Sequence, residues 1–179
     1  MIAEREPVTE GGRTGERDHE EFAREIALRL LESRARSRAE LATAMERKGV
    51  PSPVAERVLD RLEEVGLIND ADFAGMWVRG QQRRMTSTRA MRRELRAKGV
   101  DAEIIDEAMP EASADYDAAL ALARKKMRTM GSLEPHVRYR RLAGALARRG
   151  FAPGLCHAVV KEVTGAATEG EAEAGGEDW

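Results

Sequence analysis

The chain writes one short phrase three times: AMERKGV at 44–50, ELRAKGV at 94–100 and ALARRGF at 145–151. A repeat near fifty residues constrains the fold strongly, because each copy must be the same supersecondary unit. Aligned on Gly49, Gly99 and Gly150, the apolar positions coincide. Eight residues before Gly stand Leu41, Met91 and Leu142; four before stand Met45, Leu95 and Leu146. Directly after come Val50, Val100 and Phe151, then Val54, Ile104 and Leu155 at +5, and Val58, Ala108 and Val159 at +9. Residues four apart share one face of a helix. Gly between two such runs fits the left-handed residue that ends a helix. Arg47-Lys48, Lys98 and Arg148-Arg149 suit the negative helix end that precedes each Gly. Each phrase therefore reads helix, Gly stop, short turn, helix.

Entry signals agree. Ser37-Arg38-Ala39-Glu40 is a capping box, and Ser52 with Pro53, Asn69-Asp70, Ser87 and Asp101 are further helix starts, with Pro135 near another. A third helix precedes each pair. Phe22, Ile26, Leu30 and Leu31 pattern 20–34; Phe73, Trp77 and Val78 pattern 70–83; Tyr116, Leu120, Ala123 and Met127 pattern 112–129. The expectation is an all-α fold: an elongated array of three tandem three-helix repeats at 20–66, 67–110 and 111–164. Hydrophobic residues make up 42% but aromatics only 4%, so the core is aliphatic. No run of alternating β-branched residues is long enough to predict a strand.

The net charge of −2 hides a split. Residues 1–20 hold six acids and three bases, and 165–179 hold five acids and no base. That leaves 21 of the 32 acids and 27 of the 30 bases to the body. The two acidic ends, 1–19 and 165–179, hold too little apolar surface to offset their ordering entropy and are expected to be disordered. No stretch approaches the ~20 apolar residues of a membrane span, and the single cysteine, Cys156, allows no internal disulfide. A cytoplasmic, monomeric protein is expected.

Catalytic signatures are missing: no phosphate loop, no nucleophile elbow, no paired metal histidines. Neither cofactor nor metal is expected, and no enzyme activity. Cys156 and His157 are neighbours on a helix, so their side chains diverge by about 100°. Cys156 aligns with Ala55 and Ile105, which predicts a buried structural thiol, and Trp77 is assigned to the core. The basic residues carry more information. Arg89, Arg92, Arg93 and Arg96 form one stripe on the fifth helix. Arg79, Arg83 and Arg84 close the fourth; Arg124, Lys125, Lys126 and Arg128 cluster in the seventh; Arg138, Arg140, Arg141, Arg148 and Arg149 cluster in the eighth. Arg34, Arg36 and Arg38 form a smaller group. Arg favours bidentate contact with phosphate or carboxylate. With few aromatics beside them, these patches do not suit base stacking. The contact residues expected are Arg83, Arg84, Arg92, Arg93, Arg96, Lys125, Arg141 and Arg149, meeting an anionic partner surface. The alternative to a protein partner is direct binding of DNA through the basic helices.

The stretch 61–109 resembles RecX, a family of bacterial regulators of the RecA recombinase. Its carriers are Gly66-Leu67-Ile68-Asn69-Asp70-Ala71-Asp72-Phe73-Ala74, then Glu94-Leu95-Arg96-Ala97-Lys98-Gly99-Val100, with Ser37-Arg38-Ala39-Glu40-Leu41 in the first repeat. The likeness covers about residues 22–163. One departure stands at Arg84-Met85-Thr86-Ser87-Thr88, where family members often carry Gly or Pro. The resemblance implies a small modulator in DNA repair and recombination. It would bind RecA–DNA filaments, with single- or double-stranded DNA as a further partner. It would restrain ATP hydrolysis, filament extension and strand exchange.

Overall fold

The structure is a computed structural model, and it describes the backbone of residues 10–111 and 113–165. Among the described residues every regular element is a helix. In chain order they are α1 (Glu10–Ser33), α2 (Arg38–Arg47), α3 (Ser52–Glu64), α4 (Asp70–Arg83), α5 (Thr88–Ala97), α6 (Ala102–Ala108), α7 (Ala114–Met127), α8 (Pro135–Arg148) and α9 (Pro153–Thr164). The fold is thus all-α, three helices to each repeat.

The aligned positions form the core. Leu41, Met91 and Leu142, Met45, Leu95 and Leu146, and Val50, Val100 and Phe151 are all buried. Gly49, Gly99 and Gly150 have φ of 82°, 73° and 86°, the left-handed stop that the phrase requires. In the third helix of the second and third repeats the register differs from expectation. Val54 at +5 is buried, but Ile104 and Leu155 are half-exposed, whereas Ala55, Ile105 and Cys156 at +6 are all buried. In α6 and α9 the +6 residue therefore points inward in place of +5, whereas in α3 both are buried. Burial pushes the Cys156 thiol pKa up, and its Sγ donates to the Phe151 carbonyl (3.6 Å), consistent with a packed thiol.

Most entry signals act as caps. Ser37 and Glu40 form the full capping box of α2. Asn69 Oδ1 accepts from the amides of Ala71 and Asp72, Ser87 Oγ from Ala90, and Asp101 Oδ1 from Glu103. Ser52 is a correction: Pro51 is the N-cap of α3, without a side-chain cap, and Ser52 is already helical. A second correction concerns the N-terminal arm. Helix α1 begins at Glu10, ten residues before the helix expected from the apolar pattern. Once the buried face around Ala23 and Ala27 has nucleated the helix, each added residue gains a hydrogen bond, so a polar extension propagates. Residues 1–9 and the acidic tail beyond Gly165 lie outside the described residues.

Two compact units are distinguished. Among the described residues, one comprises those up to Gly75 with Leu95–Asp106; the other comprises Met76–Glu94 with those from Glu107 onward. The core of the first joins Ala23 and Ala27 of α1, Leu41 and Met45 of α2, and Val54, Val58, Leu59 and Leu62 of α3. That of the second joins Ala119, Leu122 and Ala123 of α7, Leu142 and Leu146 of α8, and Cys156, Val159 and Val160 of α9. Met85 packs on this second core, and it is the departure seen in the sequence: a non-Gly residue at φ 55°. Left-handed conformation costs such a residue roughly 1–2 kcal/mol, a cost that partial burial of the Met side chain against this core counters.

Candidate functional site

In the first unit the N-terminus of α2 seats on the C-terminal end of α5. Ser37 Oγ donates to the Lys98 carbonyl (2.6 Å) while accepting from the Glu40 amide (3.2 Å). The Arg38 amide donates to Asp70 Oδ1 of α4 (2.8 Å). Gly99 lies so close to Ala39 that a Cβ there would overlap the alanine methyl. Glu40 completes the joint: its carboxylate accepts from Arg34 (3.2 and 3.0 Å) and from Lys98 (3.0 Å). Burial alone would raise the Glu40 pKa; the hydrogen bonds from Arg34 and Lys98 outweigh it and hold the carboxyl down at about 2.

The second unit repeats the device. The Ser87 amide donates to the Arg149 carbonyl (3.0 Å). The Thr88 amide and hydroxyl donate to the Asp115 carboxylate (2.7 and 3.0 Å). A Cβ on Gly150 would come within 2.7 Å of both Ala90 Cβ and Ser87 Oγ. In both joints a Ser-led helix N-terminus meets a left-handed Gly and a basic residue's carbonyl. An Asp from the following repeat's first helix takes the next amide. This matching of free N–H groups to free C=O groups explains why the phrase keeps its spacing.

Along the first joint runs a groove of about 670 Å³. Its floor is the outer face of α2, where Glu40, Thr43, Ala44 and Arg47 recur at helical spacing opposite the buried Leu41 and Met45. Arg36 enters from the turn after α1, and Arg96 and Lys98 from the end of α5. Glu40 is its only acid, and Arg34 and Lys98 engage it. Among the described residues Arg36, Arg47, Lys48 and Arg96 make no ion pair, and the buried Nε of Arg36 has no hydrogen-bond partner. Such a groove presents guanidinium donors on both walls, the geometry that pairs with carboxylates or phosphates.

The predicted residues divide. The structure brings Arg96 into this groove. Arg83, Arg84, Arg93, Lys125 and Arg141 are exposed in the second unit, while Arg92 and Arg149 are half-buried, with the Arg149 carbonyl serving the second joint. Arg36, Arg47, Lys48 and Lys98 lie outside the predicted contact set; their signal was their adjacency to Gly49, Gly99 and the Ser37 cap. Arg38 belongs to structure: its guanidinium donates to Glu56 (2.6 Å), Asp60 (2.7 Å) and Glu63 (2.6 Å) along α3. Trp77 is half-buried. Among the described residues no group of three or more His, Cys, Asp or Glu is placed to hold a metal ion, and no helix is long and apolar enough to cross a membrane.

Comparison with known proteins fixes the family. The profile for the first three-helix domain of RecX matches residues 23–62, that for the second matches 69–109, and that for the third matches 113–160. The chain belongs to the RecX family. The regulatory protein RecX of Streptomyces coelicolor is 44% identical over 149 residues, covering 82% of this chain and 79% of its own. That of Mycobacterium marinum is 45% identical over 157 residues, covering 84% and 90%. A crystal structure of RecX from Lactobacillus salivarius shares the fold with a TM-score of 0.67, at 19% identity, over 82% of this chain and 97% of that one. RecX is a regulatory family by these names, and both joints fall between the matched domains or across them.

Proposed function

We propose that this chain binds RecA–DNA filaments in the cytoplasm as a monomer and restrains their ATP hydrolysis, extension and strand exchange. The observation that supports it most is the ordered match to all three RecX domains, together with a groove whose walls are cationic. Such a regulator acts by occupying surface and needs no catalytic group. Several modest contacts, repeated along a partner built of repeating subunits, add through effective concentration. The cations of the groove and of α5 would meet acidic recombinase surface or the phosphates of the bound strand. A second reading, direct DNA binding, draws on the same groove. It predicts strong salt dependence and little sequence preference, because phosphate contacts position without specifying.

The test is ATP hydrolysis by RecA on single-stranded DNA with this protein titrated in, beside a mobility-shift assay on the same DNA alone. Inhibition at substoichiometric amounts with weak binding to bare DNA is the expected result. No effect on hydrolysis with tight, salt-sensitive DNA binding would replace the filament reading with the second one.

A further inference from the structure

Three Gly stops share one conformation, and the structure fills two of them alike. At Gly99 the neighbours are Ser37 and Ala39; at Gly150 they are Ser87 and Ala90. In each, the carbonyl just before Gly accepts a hydrogen bond from the seated helix N-terminus: Lys98 from Ser37, Arg149 from Ser87. Gly49 has the same left-handed backbone, φ 82°, and follows Lys48 as Gly99 follows Lys98. Among the described residues, no atom lies within 4 Å of a Cβ built there.

We propose that the Gly49 notch at the end of α2 is a docking site for a helix N-terminus of the RecA filament. The seated helix would carry Ser or Thr as its N-cap and a small residue, Ala or Gly, two or three positions on. The specificity follows from the two filled notches: a hydroxyl or amide must reach the Lys48 carbonyl, and only a methyl or less fits against the left-handed Gly. Gly49 itself needs no room for its own sake. A left-handed Asn also tolerates such a backbone, so the turn can be kept while the notch is filled.

A second copy of this chain does not fit as the occupant. Its two N-termini of this kind, at Ser37 and Ser87, already bond the Lys98 and Arg149 carbonyls. The matching helix of its third repeat, α8, has Glu134 as its N-cap, which carries no hydroxyl to give, and places His136 and Val137 two and three positions on, where the filled notches have Ala39 and Ala90. The partner is therefore a different protein, and naming it the filament rests on the function proposed above.

The experiment compares wild type, Gly49→Asn and Gly66→Asn in the RecA hydrolysis assay. Gly66, at φ 72° after α3, also has nothing within 4 Å of a built Cβ among the described residues, so it takes the same chemical change outside the notch. Both variants should melt within a few degrees of wild type, because Asn tolerates this conformation. Gly49→Asn should raise the half-inhibitory concentration at least tenfold, and Gly66→Asn should leave it within twofold. Equal inhibition by the two folded variants would overturn the notch while leaving the RecA function standing. A wild-type chain that fails to inhibit would overturn both, and that result is visible without either variant.

Discussion

Gly99 carries two separate demands, and they can be told apart at a single residue. Its φ of 73° disfavours any side chain, and its contact with Ala39 leaves no space for one. Gly49 carries the first demand alone among the described residues. An added methyl at Gly49 should therefore cost about 1–2 kcal/mol, the left-handed penalty. At Gly99 the overlap adds the roughly 1–3 kcal/mol typical of overpacking. Gly99→Ala should lower the melting temperature about twice as far as Gly49→Ala, as read by circular dichroism. Equal losses would mean that the Ala39 contact relaxes freely and that the joint is softer than its geometry suggests. Only the first demand could be read from the sequence. A Gly after a basic residue announces a helix stop, but nothing in the local letters tells which residue sixty positions earlier presses on it.

At the scale of helices, the joint between α2 and α5 is held by a carboxylate whose ionisation can be tuned. Glu40 has a folded pKa near 2, below its ordinary 4.5. Its contribution to stability is thus complete above about pH 4.5 and is lost as pH falls toward 2, because the unfolded chain binds the proton first. Glu40→Gln keeps the shape and removes the charge. The variant should be less stable than wild type at pH 7, and the gap should close by pH 2–3 in thermal melts. A gap constant across that range would assign the loss to hydrogen-bond geometry and not to charge. Sequence showed much of this element level: the capping box named Ser37 and Glu40, and the core positions of α2, α5 and α8 followed from spacing alone. The choice of +6 over +5 in α6 and α9 was less legible. Positions +5 and +6 are both apolar in all three copies, and only tertiary packing selects between them. Nor could local letters reveal that Glu40 reaches Lys98, since the cap already accounted for it.

For the molecule as a whole, the question is which of its many cations meet the partner. Composition could say only that the body is basic, and helical spacing favoured the α5 stripe. The fold sorts these cations by their surroundings. Arg38 is committed to three acids of α3. Arg124 faces Glu162, which also accepts from the Tyr116 hydroxyl and thereby raises that phenol's pKa. Arg47 and Arg96 line one groove with Arg36 and Lys48, and among the described residues none of the four is neutralised by an ion pair. Converging charges contribute more than scattered ones, because each added contact requires less additional ordering of the partner. Two double reversals test this directly. Arg47→Glu with Arg96→Glu, and Lys125→Glu with Arg141→Glu, each reverse the charge at two exposed positions, so long-range attraction falls by the same amount in both. The groove pair should weaken the proposed inhibition of RecA at least tenfold, about 1.4 kcal/mol, and the other pair less than threefold. If both lose alike, the partner responds to the overall field and the groove has no special part. If only the second pair loses, the contact surface belongs to α7 and α8 instead. Raising the salt concentration should then narrow the difference between variants and wild type, since exposed contacts of this kind are screened beyond about 10 Å at 0.1 M ionic strength.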